Sequence, residues 1–175
     1  MQKMSLVVLA VILCLAFPVI AQEDGGMPGP PPPLDDPWMN WLVGEWTGTS
    51  EGAMGKSEDW MSCNMGFGGQ YLMMEYKSKS AAGEYTGGGA FTLDEKGNMV
   101  GVWIDSMRDM AKGHGTRDGN VETIVWEGKM GKYTRITEKI DEDHFVVTGK
   151  MEAPDGTVME GKSEMRRVKK DAAGE

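Results

Sequence analysis

Between Trp38 and Lys169 no stretch carries the 3.6-residue periodicity of a long amphipathic helix. The chain is instead cut into short runs by turn signals: "EGAMGKS", "GFGGQ", "AAGEYTGGG", "DEKGN", "TRDGN", "GKMGKY", "DEDH" and "APDGT". The runs between them alternate with period two. In "NMVGVWIDSM", Val100, Val102 and Ile104 share one face, and Met99, Gly101, Trp103 and Asp105 the other. In "QYLMMEYKS", Leu72, Met74 and Tyr76 oppose Tyr71, Met73, Glu75 and Lys77. Short alternating runs at roughly 8–12-residue spacing indicate an all-β barrel or sandwich.

Ten strands are expected: 45–52, 56–65, 70–79, 85–93, 98–106, 110–116, 121–129, 133–140, 144–152 and 158–168. Connections of two to five residues force neighbours into antiparallel hairpins. A ten-strand meander has two open edges unless it closes, and closure protects both. The expected fold is therefore a single antiparallel up-and-down β-barrel, with the last strand pairing back near the first. Barrels of this size can keep an interior cavity for one small ligand. In the opening "WLVGEWTGTS", Gly44 gives a sharp turn into the barrel, Trp46 can plug its floor, and Gly48 lets a neighbouring backbone approach. Just before it, "DPWMNWLVG" can hold one helical turn, with Asp36 as N-cap and Pro37 at the first helical position.

The flanks read differently. Residues 1–21 have the layout of a secretory signal peptide: Lys3, the apolar run "LVVLAVILCLAFPVI", and "VIA" before Gln22. The competing reading, an uncleaved anchor, meets a run short of the ~20 residues a span needs. A lipoprotein reading fails because Cys14 lies within the apolar run behind bulky Ile12 and Leu13. An exported protein, periplasmic or extracellular, is expected. Residues 22–37, "QEDGGMPGPPPPLDDP", form a Pro-rich spacer with extended polyproline character, the alternative being a ligand for another domain. Residues 170–175 are expected to be a disordered tail. Cleavage after Ala21 leaves Cys63 as the one cysteine, so no internal disulfide can form. Cys63 reads as a small buried strand residue rather than a reactive thiol. The net charge of −9 argues against nucleic acid and anionic membrane surfaces as partners. "RRVKK" at 166–170 reads as a solvated strand end.

The set "GEWTG", "FGGQYLMMEY", "GGGAFTLDEKGNMVGVWIDSM", "GHGTRDG" and "DGTVMEGKSEMRR" resembles the DUF1579 family of bacterial, often exported proteins of unassigned function, over roughly Trp38 to Arg167. The "G-x-W" opening also looks like that of the calycin superfamily, which groups lipocalins, fatty-acid-binding proteins and nitrobindin-like haem proteins. The family usually has a Gly-Tyr-Asp turn after the fourth strand. Here "AFTLDEKGN" keeps Asp94 and lacks the tyrosine. The resemblance implies a barrel and supplies no reaction.

Catalytic sets are scarce. There is no phosphate loop, no G-x-S-x-G and no H-E-x-x-H. His114 and His144 are the only histidines, too few for a recognisable zinc set. A non-enzymatic barrel is expected, holding a small apolar or amphipathic molecule in its interior. The expected lining is Trp46, Met73, Trp103, Asp105, His114 and Arg135. Asp105, on an apolar strand, is either a polar anchor for a ligand head group or part of a structural ion pair or rim, with Arg135 and Arg117 as available partners. No cofactor is expected in the main reading. A nitrobindin-like protein would hold haem iron through one barrel histidine, and His114 is the candidate. The many methionines invite a copper(I) reading at Met107, Met110 and His114, or the plainer reading of an adaptable core or cavity lining. A structural or interaction barrel without ligand is the remaining alternative.

Overall fold

The structure, a computed structural model, describes residues 29–169 apart from Met54. The signal peptide, the first part of the spacer (22–28) and the 170–175 tail lie outside the described residues. The order is a short helix α1 (Pro37–Leu42), β1 (Gly44–Gly52), β2 (Gly55–Gly66), a 3₁₀ turn (Phe67–Gly69), β3 (Tyr71–Ser80), β4 (Gly83–Leu93), β5 (Met99–Asp105), β6 (Met110–Asp118), β7 (Val121–Gly128), β8 (Gly131–Asp141), β9 (His144–Glu152) and β10 (Val158–Arg167). Every consecutive strand pair is antiparallel, and β10 pairs with β1, so the barrel is closed. The alternation with tight turns drives this result. Closure gives every strand two hydrogen-bonded neighbours and leaves no edge.

The barrel has two unlike ends. At one end α1 and Trp46 form a floor. Asp36 Oδ1 accepts from Met39 N at 2.9 Å and Pro37 stands at the helix start, as the "DPW" pattern predicts. Trp38, Trp41, Trp46 and Phe145 stack edge-to-face with centroids 4.9 to 5.8 Å apart. Trp46 is fully buried and its Nε1 donates to Leu42 O at 2.9 Å. Arg167 locks this floor. Its guanidinium lies 4.1 Å from the Trp46 ring and donates to Val43 O at 2.7 Å and Trp41 O at 2.6 Å. Arg117 holds the helix start from another strand, through Asp36 Oδ2 at 3.0 Å. The β1–β2, β3–β4, β5–β6, β7–β8 and β9–β10 turns surround the opposite end, the mouth.

The sequence reads as a free spacer up to Pro37, yet residues 31–36 contact the barrel. Leu34 N donates to Gly69 O at 2.9 Å and Gln70 Nε2 to Pro31 O at 2.7 Å. Leu34 also packs on the core. Gly69 permits this approach: at φ +83° it has no side chain, and a Cβ there would stand 2.8 Å from Pro33.

Candidate functional site: the barrel interior

The inner faces are set by burial. β1 points Trp46, Gly48 and Ser50 inward. β2 points Ser57, Asp59, Met61, Cys63 and Met65 inward. β3 does so with Leu72, Met74, Tyr76 and Ser78, and β5 with Met99, Gly101, Trp103 and Asp105. A gradient runs along the axis. Near the floor the inner residues are apolar and buried; near the mouth of β10, β1, β2 and β3 they become hydroxyls with a carboxylate. Asp59 is buried and accepts from Ser50 Oγ and, at 3.0 Å, from Ser57 Oγ. Ser50 Oγ lies 2.6 Å from Ser163 Oγ. Burial, followed by the Asp59 charge, pushes the neighbouring Tyr76 hydroxyl up to about 12.

The facing wall is aromatic. Phe91, Trp103 and Trp126 form a continuous set with centroids 5.6 to 6.5 Å apart. Each large ring leans on a glycine of an adjacent strand. A Cβ on Gly87 would stand 2.6 Å from Trp103, and one on Gly113 2.5 Å from Trp126. Tyr133 covers Gly149 in the same way. Without a Cβ the backbone accepts the ring close against the wall.

Of the residues singled out in the sequence, Trp46 forms the floor and Trp103 lines the aromatic wall. Arg135 is on the inner face of β8, beside Gly149 and Ile124. Among the described residues no carboxylate oxygen lies within 4.0 Å of its guanidinium. Its charge is felt across the lumen. Burial pushes the Cys63 thiol up to about 12, with Arg135 and then Arg167 pulling the other way. Burial also raises Glu122 on β7, against the pull of Arg135 and Arg117. Arg117 completes a separate pair with Glu122 at 3.4 Å.

Three expectations need correction. Met73 faces outward and packs over Gly66, because Leu72 and Met74 hold the inner positions of β3. His114 is exposed on the outer face of β6, where the buried positions are Gly113 and Gly115. It cannot reach the lumen, so haem ligation through a barrel histidine has no basis. The copper cluster fails for a related reason: Met110 and His114 lie four residues apart on one strand, about 13 Å. Among the described residues no three His, Cys, Asp or Glu side chains gather to hold a metal.

Asp105 does face inward, but its carboxylate is occupied. Oδ1 accepts from Met107 N at 2.9 Å and Asp109 N at 3.1 Å, and Oδ2 from Tyr85 OH at 3.2 Å. Tyr85 OH in turn accepts from Trp103 Nε1 at 2.8 Å. Asp105 thus caps the β5–β6 turn and orients Trp103 through Tyr85; it meets neither Arg135 nor Arg117 in an ion pair. Sequence reasoning missed Asp59, Tyr76, Trp126 and Tyr133. The signal for Asp59 was present: it shares a period-two face with Met61 and Cys63.

Two open crevices sit near the mouth. One, of about 790 Å³, lies where β10, β1, β2 and β3 meet, beside Ser50, Ser57, Ser163 and Lys56. The other, of about 340 Å³, runs along β2, β3 and β4 past Trp60, Lys77 and Tyr85.

Fold and interior define a small closed up-and-down barrel with a plugged floor and an amphipathic lining. The chain belongs to the family described as "Protein of unknown function (DUF1579)", whose profile matches residues 35–164. No curated protein is similar enough to match it. Among solved structures it is similar to Rv2717c from M. tuberculosis, with a TM-score of 0.60 at 14% identity, over 75% of this chain and 96% of that one. It is also similar to the S-type phycobiliprotein lyase CPES from Guillardia theta, with a TM-score of 0.58 at 10% identity, over 77% of this chain and 92% of that one. At these identities the likeness is one of fold.

Proposed function

We propose that this protein is an exported, non-enzymatic carrier that holds one small amphipathic acid inside the barrel. Arg135 takes the acid group, and Trp103, Trp126 and Tyr133 take the apolar body. The observation that carries the reading is Arg135 itself: a guanidinium on an inward strand position, with no carboxylate within 4.0 Å among the described residues. Arg135 is half-buried and shares the interior with Glu122, which feels its charge without touching it, so among the described residues its guanidinium donors are open to a ligand. A ligand carboxylate would meet them with the charge-assisted, two-pronged geometry that guanidinium favours. The aromatic wall suits the apolar body of such a molecule. The barrels found by comparison support the reading through their shape alone.

Native mass spectrometry on the chain purified from its own compartment tests this first. A mass excess lost on denaturation supports a ligand. Displacement of a hydrophobic dye by a fatty acid tests the anchor. The Arg135→Met variant should weaken displacement by the acid about tenfold or more and leave displacement by the matching alcohol unchanged. A bare mass and no dye binding would overturn the reading and favour a structural or interaction barrel.

A further inference from the structure

One part of the mouth's rim carries a cluster of exposed apolar side chains. Val102 and Ile104 on the outer face of β5, Met110 on β6, Met107 in the β5–β6 turn and Met130 in the β7–β8 turn are between 42% and 69% exposed. They are neighbours: Ile104 pairs directly with Met110, and Asp109, beside both Met107 and Met110, binds the second turn. Asp109 Oδ1 accepts from Lys129 N at 3.0 Å and Oδ2 from Met130 N at 3.2 Å. Lys129 Nζ donates back to Met107 O at 3.3 Å and Arg108 O at 3.2 Å. The two turns are thus clamped into one ledge by polar groups underneath, and the apolar side chains are left outside it.

Contiguous exposed apolar groups mark interaction surfaces. The charges around this one indicate the partner. Arg108, Lys112 and Lys132 flank the ledge and Lys129 is held in the clamp, against Glu127, which pairs laterally with both Lys112 and Lys132, Glu152, which pairs laterally with Lys132, and Asp109, which is turned into the clamp. Cations therefore outnumber carboxylates around the ledge, on a chain of net charge −9. A second copy docked two-fold would set like charges against each other. An anionic lipid surface meets both features: unbranched methionines enter a fluid apolar layer, and the cations meet head groups.

We propose that this ledge docks the barrel, mouth first, on an anionic lipid surface from which its ligand enters. The net charge alone argues the opposite, but charges on the far side of the barrel are screened beyond about 8 Å at physiological salt. The entry role rests on the carrier reading above; the docking is measured independently of it.

The experiment is flotation of the intact chain with vesicles of phosphatidylcholine alone or mixed with phosphatidylglycerol. Binding is expected to the mixed vesicles and to weaken as salt is raised. The Met107→Asp/Met110→Asp variant should lower the bound fraction about tenfold or more. Arg108→Gly should lower it too; its backbone has φ +58°, so glycine relaxes the turn and any loss is not a folding defect. Ile140→Asp, an exposed apolar position at the floor end of β8, should bind as the parent does. Flotation with neither vesicle, equal binding by the rim variants, or an equal loss in Ile140→Asp would each overturn the proposal. Dye displacement in vesicle-free solution should be the same in the rim variants as in the parent. If flotation succeeds while dye and acid never bind, the docking stands and the carrier reading falls.

Discussion

Asp105 shows how one carboxylate on an apolar strand is made harmless. Two backbone amides and a tyrosine hydroxyl surround it, and the same tyrosine fixes Trp103. Asp105→Ala should therefore lower stability to urea by about 1–3 kcal/mol, because turn amides lose their acceptor. Acid displacement of dye should survive unless Trp103 is released with it, which a red shift in tryptophan fluorescence would show. Cys63 is the opposite case, a group whose inertness comes from depth. With its thiol pushed up to about 12, almost no thiolate exists at neutral pH in the folded chain. Alkylation of native protein should be slow and limited by unfolding, and rapid labelling in native buffer would refute the buried placement.

At the scale of elements, the aromatic wall depends on glycines in the neighbouring strands. Gly113→Ala sets a Cβ 2.5 Å from the Trp126 ring, and the ring has no flexible end to yield. A loss of about 1–3 kcal/mol is expected, read as a lower urea midpoint with altered tryptophan emission. Gly97→Ala, where no atom lies within 4 Å but φ is +79°, would strain the backbone and leave the emission unchanged. The floor is likewise held by an arginine far away in sequence, Arg167, together with Arg117 at the helix start. Arg167→Ala removes the hydrogen bonds to Trp41 O of α1, to its C-cap Val43 O and to Glu142 O, together with the cation over Trp46. It should cost about 2–3 kcal/mol and raise amide exchange in α1 before the sheet opens.

Across the whole molecule, the buried protonated groups point one way. Cys63 rises from 9.0 and Tyr76 from 10.0, each to about 12, and burial raises Tyr85 and Tyr133 too. For each the folded chain holds its proton more tightly than the unfolded chain. That stability is fully present below pH 9 and is lost as pH rises through 9–12. Chemical denaturation as a function of pH should show a steep alkaline decline, and the Cys63→Ala variant a shallower one. A flat profile to pH 12 would contradict the buried placement of these groups.

The sequence alone determined the strands, the turns and the helical turn with its Asp36 cap, because these follow from local turn chemistry and period two, and it pointed to closure of β10 on β1, because a meander left open would expose two edges. It also marked Trp46 as the floor, through the glycines around it. It left open which face was inner wherever both faces were apolar. Met73 shares its face with Glu75 and Lys77, and Met74 shares its face with Leu72 and Tyr76, so the alternation already favoured Met74 as the inner residue, and packing over Gly66 shows Met73 outside. His114 looked accessible because of its glycines, but the glycines are the buried residues, covered by Trp126 and Ile124 from β7. The inner face of Asp59 was legible from period two, but its link through Ser50 to Ser163, the surroundings of Arg135 and the clamped rim depend on side chains brought together from different strands. Such contacts leave no local trace, so the tertiary structure alone decided how the polar groups of the lumen are linked and where on the acidic surface cations outnumber carboxylates.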